Sequence, residues 1–347
     1  MDASFGLSLS RILEFSGNQV IRAMLFNDRG VHILKTVYAL KNFNMKQGKQ
    51  KSDHYVGELY VEFIKRAKTH PEIETEVQEM LKKWEDGDKS VLFLWNFIRN
   101  LAVSGIEKTY ERFGSEFDVI FSESEFYKKA EPIIEIGLKK GIFKKSKDGI
   151  VAKLSPLPDK VVLRKDRTSV YITNDLALTP YKFKKYKLDK SIWVVGSEQK
   201  LYFSQLFKIL EKIGFKWTSN CIHVPHGMVL LEGGKMKSRE GTVVDADDFI
   251  DALEEMAKQE IKKRQNLTAK EMQKRARSIA LSAIKYYFLR KEAIKDTMFK
   301  PEEALSFEGD TGPYLQYSYA CACSILKKAK KTPELKPEKF NDAEIRL

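Results

Sequence analysis

Between residues 161 and 231, short runs of β-branched and aromatic residues alternate with a segment of helical period. Strand character is concentrated in Val161-Val162-Leu163, Val170-Tyr171-Ile172, Ile192-Trp193-Val194-Val195 and Met228-Val229-Leu230-Leu231. Between the last two, residues 201–213 set their apolar side chains at helical spacing. A buried strand, a helix and a further buried strand in succession require a crossover, so this stretch predicts an α/β chain with a parallel sheet.

The remainder is mostly helical. Residues 7–15 keep a helical period and Gly17 stands where such a helix ends. Residues 20–26 read as a buried strand, Asn27-Asp28-Arg29-Gly30 as the turn after it, and residues 31–43 as the next helix. A polar loop over 46–53 leads into an amphipathic, largely helical stretch from 56 to about 145, read as an insertion between halves of a nucleotide-binding sheet. After 245 the chain turns helical: Asp247 or Asp248 opens a helix, and 252–263 and 271–289 keep the period. The lysine-rich piece 327–339, broken by Pro333 and Pro337, reads as a connector. The expected divisions are 1–45 (first part of the sheet), 46–150 (insertion), 151–305 (second part of the sheet) and 306–347 (start of a helical domain).

A chain of 347 residues, 43% apolar and 31% charged, can bury a large core. No run of eighteen apolar residues and no basic-then-apolar leader is present, so neither a membrane span nor a signal peptide is expected. Cys221, Cys321 and Cys323 have neither metal-ligand spacing nor the density of a disulfide framework, which points to a reducing compartment, the cytoplasm by default. The net charge of +13 suits a polyanionic partner through phosphate contacts and counterion release; lysines dispersed over a solvated surface produce the same balance.

The most informative motif is Lys235-Met236-Lys237-Ser238-Arg239-Glu240-Gly241, followed by Thr242-Val243-Val244. A short cationic loop closed by glycine and leading into a strand has the form of a clamp for a triphosphate. It resembles the second signature loop of class I aminoacyl-tRNA synthetases, K-M-S-K-S in general and often K-M-S-S-R-x-G in arginyl enzymes. Five further segments, in the same order, are similar to the arginyl-tRNA synthetases. Residues 305–317 carry Leu-Ser-Phe-Glu-Gly-Asp-Thr-Gly-Pro-Tyr-Leu-Gln-Tyr, close to L-x-F-E-G-[ND]-T-G-P-Y-[LI]-Q-Y. Residues 166–177 resemble D-G-T-x-x-Y-x-T-R-D-x-A, and 194–203 resemble V-x-x-x-Q-x-L-H-F. His223 to Val229 resembles H-x-x-x-G-M-V, and Asn27-Asp28-Arg29-Gly30 the early N-D-x-G element.

The resemblance implies a Rossmann-like class I catalytic domain with a helical insertion, followed by the start of an all-α anticodon-binding bundle. It implies an arginine–tRNA ligase: ATP-dependent activation of L-arginine and its transfer to tRNA(Arg), with Mg2+ accompanying the ATP and no protein-bound metal. Lys235, Ser238 and Arg239 would stabilise charge on the phosphates, and Gly241 would let the loop fold over. ATP would be held by Gly227, Met228, Lys235, Met236, Lys237, Ser238 and Gly241.

Tyr171, Asp175 and Gln199 would grip the substrate arginine. A carboxylate takes a planar guanidinium bidentately, and leaving that buried cation unpaired costs roughly 3–5 kcal/mol. Tyr171 and Asp175 are one turn apart if their segment starts a helix; an exposed Asp capping a helix beside a core Tyr is the plainer reading of the pair alone. Gln199 read alone is equally a surface amide at a helix start. Tyr314, Gln316 and Tyr317 would meet tRNA by stacking, though packing within the helices is the more ordinary use of such residues. His226 reads as a satisfied, partly buried histidine, whereas His32, His54 and His70 show no partner pattern.

The sequence also departs from the pattern. Arg167 stands for Gly, Asn174 for Arg, Lys237 for Ser and Cys321 for Arg, and no His-x-Gly-His first signature occurs. The chain therefore reads as a fragment or a split part, with a separately encoded N-terminal fragment as an expected partner. The alternative is a non-catalytic arginine- or tRNA-binding remnant.

Overall fold

The computed structural model describes residues 1–165, 168–230 and 245–329. They group into two units: Met1–Asp247 with Glu292–Met298, and Asp248–Lys291 with Phe299–Leu347.

The first unit opens with helix α1 (Asp2–Phe15), strand β1 (Ala23–Phe26) and helix α2 (Val31–Asn42). Gly17, at a φ of 84°, takes the left-handed conformation that ends α1, and Asn18 N–H returns to the Leu13 carbonyl. Helices α3 (Ser52–Ala67), α4 (Glu72–Glu85) and α5 (Lys89–Phe113) follow. Asp88 caps α5 by accepting from Ser90 N at 2.9 Å and Val91 N at 3.0 Å, and left-handed Gly114 ends it. One apolar core joins α2 to α5, with Leu59, Val77 and Ile98 fully buried.

Next come β2 (Val119–Ser122), α6 (Glu131–Lys139), β3 (Phe143–Ser146), β4 (Gly149–Ala152) and β5 (Lys160–Arg164). Then follow α7 (Tyr171–Tyr186), β6 (Ser191–Gly196), α8 (Lys200–Ile213), β7 (Cys221–His226) and β8 (Val229–Leu230). Strand β1 pairs in parallel with β2, and β6 with β7, from Ser191 opposite Cys221 to Gly196 opposite His226. A second core lies under these strands, with Leu176 of α7 and Leu206, Ile209 and Leu210 of α8 buried.

Helix α9 (Ala246–Lys262) carries the chain into the second unit, where α10 (Ala269–Leu289) follows. The chain returns to the first unit for β9 (Thr297–Met298), parallel to β8. It ends in the second with α11 (Pro301–Ala304) and α12 (Gly312–Lys328). Phe299 anchors that unit, its ring 4.8 Å from both Phe249 and Tyr287. Gly312 is required there, because a Cβ would come within 2.3 Å of the Ser282 carbonyl oxygen.

Several expectations change. Val161-Val162-Leu163 does not join a parallel sheet: β5 runs antiparallel to β4, which runs antiparallel to β3. The polar Lys147-Asp148 turn makes β3 and β4 a hairpin, so β5 adds to its edge. Val170-Tyr171-Ile172 is not a strand. Thr173 Oγ1 accepts from Val170 N at 2.9 Å and donates to the Val162 carbonyl at 2.6 Å, which starts α7 at Tyr171. Residues 20–26 yield only the short β1, in which Phe26 alone is buried. The stretch 56–145 is helical as far as α5, and β2 then interrupts it to pair with β1. The compact units divide at 247/248, within the first turn of α9.

Candidate functional site

Two carboxylates mark the site. Asp175 projects from the second turn of α7, and Tyr202, from the first turn of α8, donates its hydroxyl to Asp175 Oδ2. Burial pushes the Asp175 carboxyl above its ordinary range, only partly offset by that hydrogen bond and by the charge of Lys182. Tyr202 is held well above the phenol range by burial and by Asp175. Glu123 follows the end of β2, is almost fully buried, and accepts from Asn27 Nδ2 at 3.1 Å and from Asn174 Nδ2. Burial raises its pKa, and the charges of Asp28 and Asp175 act in the same direction. Among the described residues neither Asp175 nor Glu123 has a salt-bridge partner. Desolvated acids that feel the charges of Lys182 and Arg29 but make no direct ion pair among the described residues form an arrangement that a cationic ligand completes.

The expected arginine residues are placed as follows. Tyr171 opens α7 one turn before Asp175 and is 58% exposed, so it is not the core tyrosine of the plainer reading. Asp175 does not cap the helix: Val170 holds the cap position, and Asp175 is drawn toward α8 by Tyr202. Gln199 stands half-buried between β6 and α8, three positions before Tyr202. Asn174, where the pattern has Arg, turns inward to Glu123, and its Oδ1 is buried with no partner. Glu123 and Tyr202 went unnoticed in the sequence. Glu123 sits in a Ser-Glu-Ser-Glu run directly after a strand, the edge at which α/β sheets bind ligands, and that position was the available signal.

The turn before the site is held firmly. Asp28 accepts from Ser124 N at 2.9 Å, Ser124 Oγ at 2.8 Å and Arg99 Nε at 2.7 Å, which locks the ends of β1 and β2 together. Arg29 donates to Ser169 Oγ and pairs with Glu85, its guanidinium lying 4.3 Å over the Tyr127 ring.

At the end of β7, His226 is buried with an acceptor at each ring nitrogen: Gly227 O at 2.8 Å from Nδ1 and Asp2 Oδ1 at 2.5 Å from Nε2. An imidazolium satisfies both acceptors at once, and the hydrogen bond to Asp2 raises the ring's pKa in that direction. This is the satisfied histidine expected. Gly227 N–H donates to Ala293 O and Met228 N–H to Asp296 Oδ1, both at 2.8 Å, so these backbone donors are engaged with the chain returning to β9. The Met228 side chain is exposed. Lys235, Met236, Lys237, Ser238, Arg239 and Gly241 lie outside the described residues, as does Arg167.

In the second unit, Tyr314 and Tyr317 are 42% and 59% exposed on α12. Gln316 is the member that packs, its Nε2 donating to Ser278 Oγ at 3.1 Å. The other histidines also have partners: His32 meets Tyr60 OH at 3.1 Å, His54 lies 3.2 Å from Asp245, and His70 pairs with Glu72. Asp53, His54 and Asp247 converge closely enough to hold a metal ion, but the Lys51 ammonium sits among them and ion-pairs with both aspartates. Among the described residues no helix is long and apolar enough to cross a membrane.

The chain resembles known proteins along most of its length. An arginine–tRNA ligase of Treponema denticola is 43% identical over 99% of this chain and 59% of its own length. The corresponding protein of Bacteroides thetaiotaomicron is 40% identical over 96% of this chain and 61% of its own. The fold matches Thermus thermophilus arginyl-tRNA synthetase with a TM-score of 0.81 at 23% identity, covering 98% of this chain and 62% of that one. The chain thus spans about three fifths of the length of these relatives. The family model for class I (R) tRNA synthetases, catalytic domain, matches residues 3–300, and the chain belongs to that family.

Proposed function

We propose that this chain carries the arginine-activating part of an arginine–tRNA ligase, which joins L-arginine to tRNA(Arg) at the expense of ATP. The observation that carries the proposal is the desolvated Asp175 carboxylate, oriented by Tyr202 and lacking a salt-bridge partner among the described residues. A guanidinium matches its planar geometry, and Glu123 supplies a second acid, itself buried, for the same cation-rich ligand.

In this reading Tyr171, Asp175 and Gln199 hold the arginine, and the amino acid carboxylate attacks the α-phosphate of ATP. Lys235, Ser238 and Arg239 stabilise the charge that builds as pyrophosphate leaves, with Mg2+ accompanying the nucleotide. Gly227, Met228 and the 235–241 loop line the nucleotide site. The parallel pairs β1–β2 and β6–β7 are proposed as parts of one Rossmann-like sheet, and the region from 306 as the start of a helical anticodon-binding domain. Exposed Tyr314 and Tyr317 are its proposed tRNA contacts, with Gln316 fixing their helix. A separately encoded fragment bearing the first signature is the proposed partner for the complete reaction.

The test is arginine-dependent ATP–pyrophosphate exchange, with calorimetric arginine binding alongside it, on the chain alone and supplemented with a fragment bearing that signature. Asp175→Ala should abolish both signals. Unchanged exchange or binding in the variant removes Asp175 from the site. Arginine binding without exchange in any combination selects the non-catalytic alternative.

A further inference from the structure

Asp175 is not free to choose its own orientation or charge. Tyr202 fixes one of its oxygens, Oδ2, from the first turn of α8. Two turns further along α7, on the same face, stands Lys182, and helical side chains lean toward the preceding turn, in the direction of Asp175. The Lys182 ammonium lies 4.3 Å over the ring of Trp193 in β6, and Trp193 packs on Phe203 and Phe207 of α8. This aromatic corner keeps a positive charge within electrostatic reach of Asp175 and away from bulk water.

We propose that Tyr202 and Lys182 are positioning residues for the guanidinium-binding carboxylate. The phenol sets the plane of Asp175 and occupies one of its roughly four lone-pair sites, leaving the rest to the ligand. The ammonium favours the ionised form of the carboxylate while the pocket is empty. The inference rests on the reading of Asp175 as the arginine acceptor.

Among the described residues the ionisable surroundings are limited. Tyr202 comes from α8, Lys182 from α7 and Glu123 from the end of β2; Cys221 of β7 faces Lys182, and Lys160 of β5 lies 5.4 Å over the Tyr202 ring. Burial lifts the Cys221 thiol to about 11, so it stays neutral. Lys182 itself is pulled below its ordinary value by burial, opposed by Asp175. The same ammonium repels an incoming guanidinium, so its removal has opposite effects in acid and in base. In acid, Lys182→Met leaves Asp175 protonated and weakens arginine binding. In base, where Asp175 ionises without help, loss of the repulsion leaves binding equal to or tighter than the parent's.

The experiment uses the full chain and two readouts. The first is the Asp175 carboxyl titration by 13C NMR without arginine, assigned by difference against Asp175→Asn. The second is calorimetric arginine affinity between about pH 5.5 and 8.5. Tyr202→Phe and Lys182→Met should each raise the titration midpoint by about half a unit or more, and Lys182→Arg should restore it. Lys182→Met should weaken affinity several-fold at the acid end and cross the parent curve toward the alkaline end. An unmoved midpoint, or a loss of affinity equal at every pH, overturns the inference. Should the parent bind no arginine, the functional reading fails, while the titration still decides the roles of Tyr202 and Lys182.

Discussion

Asp247 offers the sharpest test of what holds the first unit together. Its carboxylate is buried and accepts from Lys51 Nζ and, at 2.8 Å, from Thr109 Oγ1; Arg112 Nη1 lies 3.4 Å from Oδ1. His54 Nε2 lies 3.7 Å away. These partners come from the start of α3 and the last turns of α5, so one side chain ties the beginning of α9 to two distant helices. Removing one member of a buried ion pair costs roughly 3–5 kcal/mol because a charge is stranded. Here Lys51 keeps Asp53 at 3.1 Å and Arg112 remains one-fifth exposed, which relieves part of that cost. The expected loss for Asp247→Ala at pH 7 is therefore about 2–3 kcal/mol.

The pH dependence has a definite sign. Burial alone would raise the Asp247 pKa, but its hydrogen bonds to Lys51 and Thr109 outweigh burial and lower it. A depressed carboxylate contributes stability above the unfolded carboxyl range and loses it as pH falls through the lower folded value. Urea unfolding of parent and Asp247→Ala at pH 7 and near pH 3 should thus show a gap that narrows in acid. A loss below about 0.5 kcal/mol at pH 7, typical of a surface site, would refute the reasoning. An undiminished gap near pH 3 would refute the electrostatic part.

Two other substitutions probe the turn after β7. Gly227→Ala puts a Cβ 2.4 Å from the Lys295 carbonyl, and overpacking of this kind costs about 1–3 kcal/mol. Thermal unfolding should register the loss, and amide exchange should accelerate at Thr297, whose N–H donates to Met228 O. His226→Gln removes a ring whose pKa Asp2 has raised, so the stability it confers is fully present below about pH 6.5 and fades as pH rises through the folded value. Denaturation across that range should show parent and variant converging toward high pH; a constant difference would mean that packing on Phe5, at a ring separation of 5.9 Å, is all that His226 contributes.

What the sequence conveyed and what it withheld follow from the range of the interactions. Helix α8 and the strand before it, β6, were legible because burial imposes its period on the residues themselves, whereas β7 at Cys221–His226 was missed and the following strand was placed at 228–231. The satisfied His226 and the end of α1 at Gly17 were equally readable from local chemistry. Val170-Tyr171-Ile172 misled because its β-branched run matches a strand, while a single hydroxyl, that of Thr173, starts a helix there. The partner of Asp175 lies 27 residues away and that of Asn174 lies 51 away, and no local pattern encodes such pairings. Exposure on α12 was illegible for the same reason, since which face a helix buries depends on its neighbours.

One regularity joins the parts that were legible to those that were not. Asn27 and Asp28 follow the end of β1, Glu123 follows β2, Gln199 follows β6, and Gly227 and Met228 follow β7. Every one of these residues stands at the carboxyl end of a parallel strand, the edge at which open α/β sheets bind ligands. The opposite ends carry different chemistry: ahead of β1 and β2, Asp118 accepts from Arg22 N at 2.7 Å and pairs with its guanidinium, an exposed clamp that aligns the two strands. A buried acid that serves structure alone, such as Asp247, keeps close ion-pair partners of its own. Asp175 and Glu123 instead combine desolvation with the lack of a salt-bridge partner among the described residues, at the one edge of the parallel strands suited to binding. That pairing of cost and position is what a site for a cationic substrate requires.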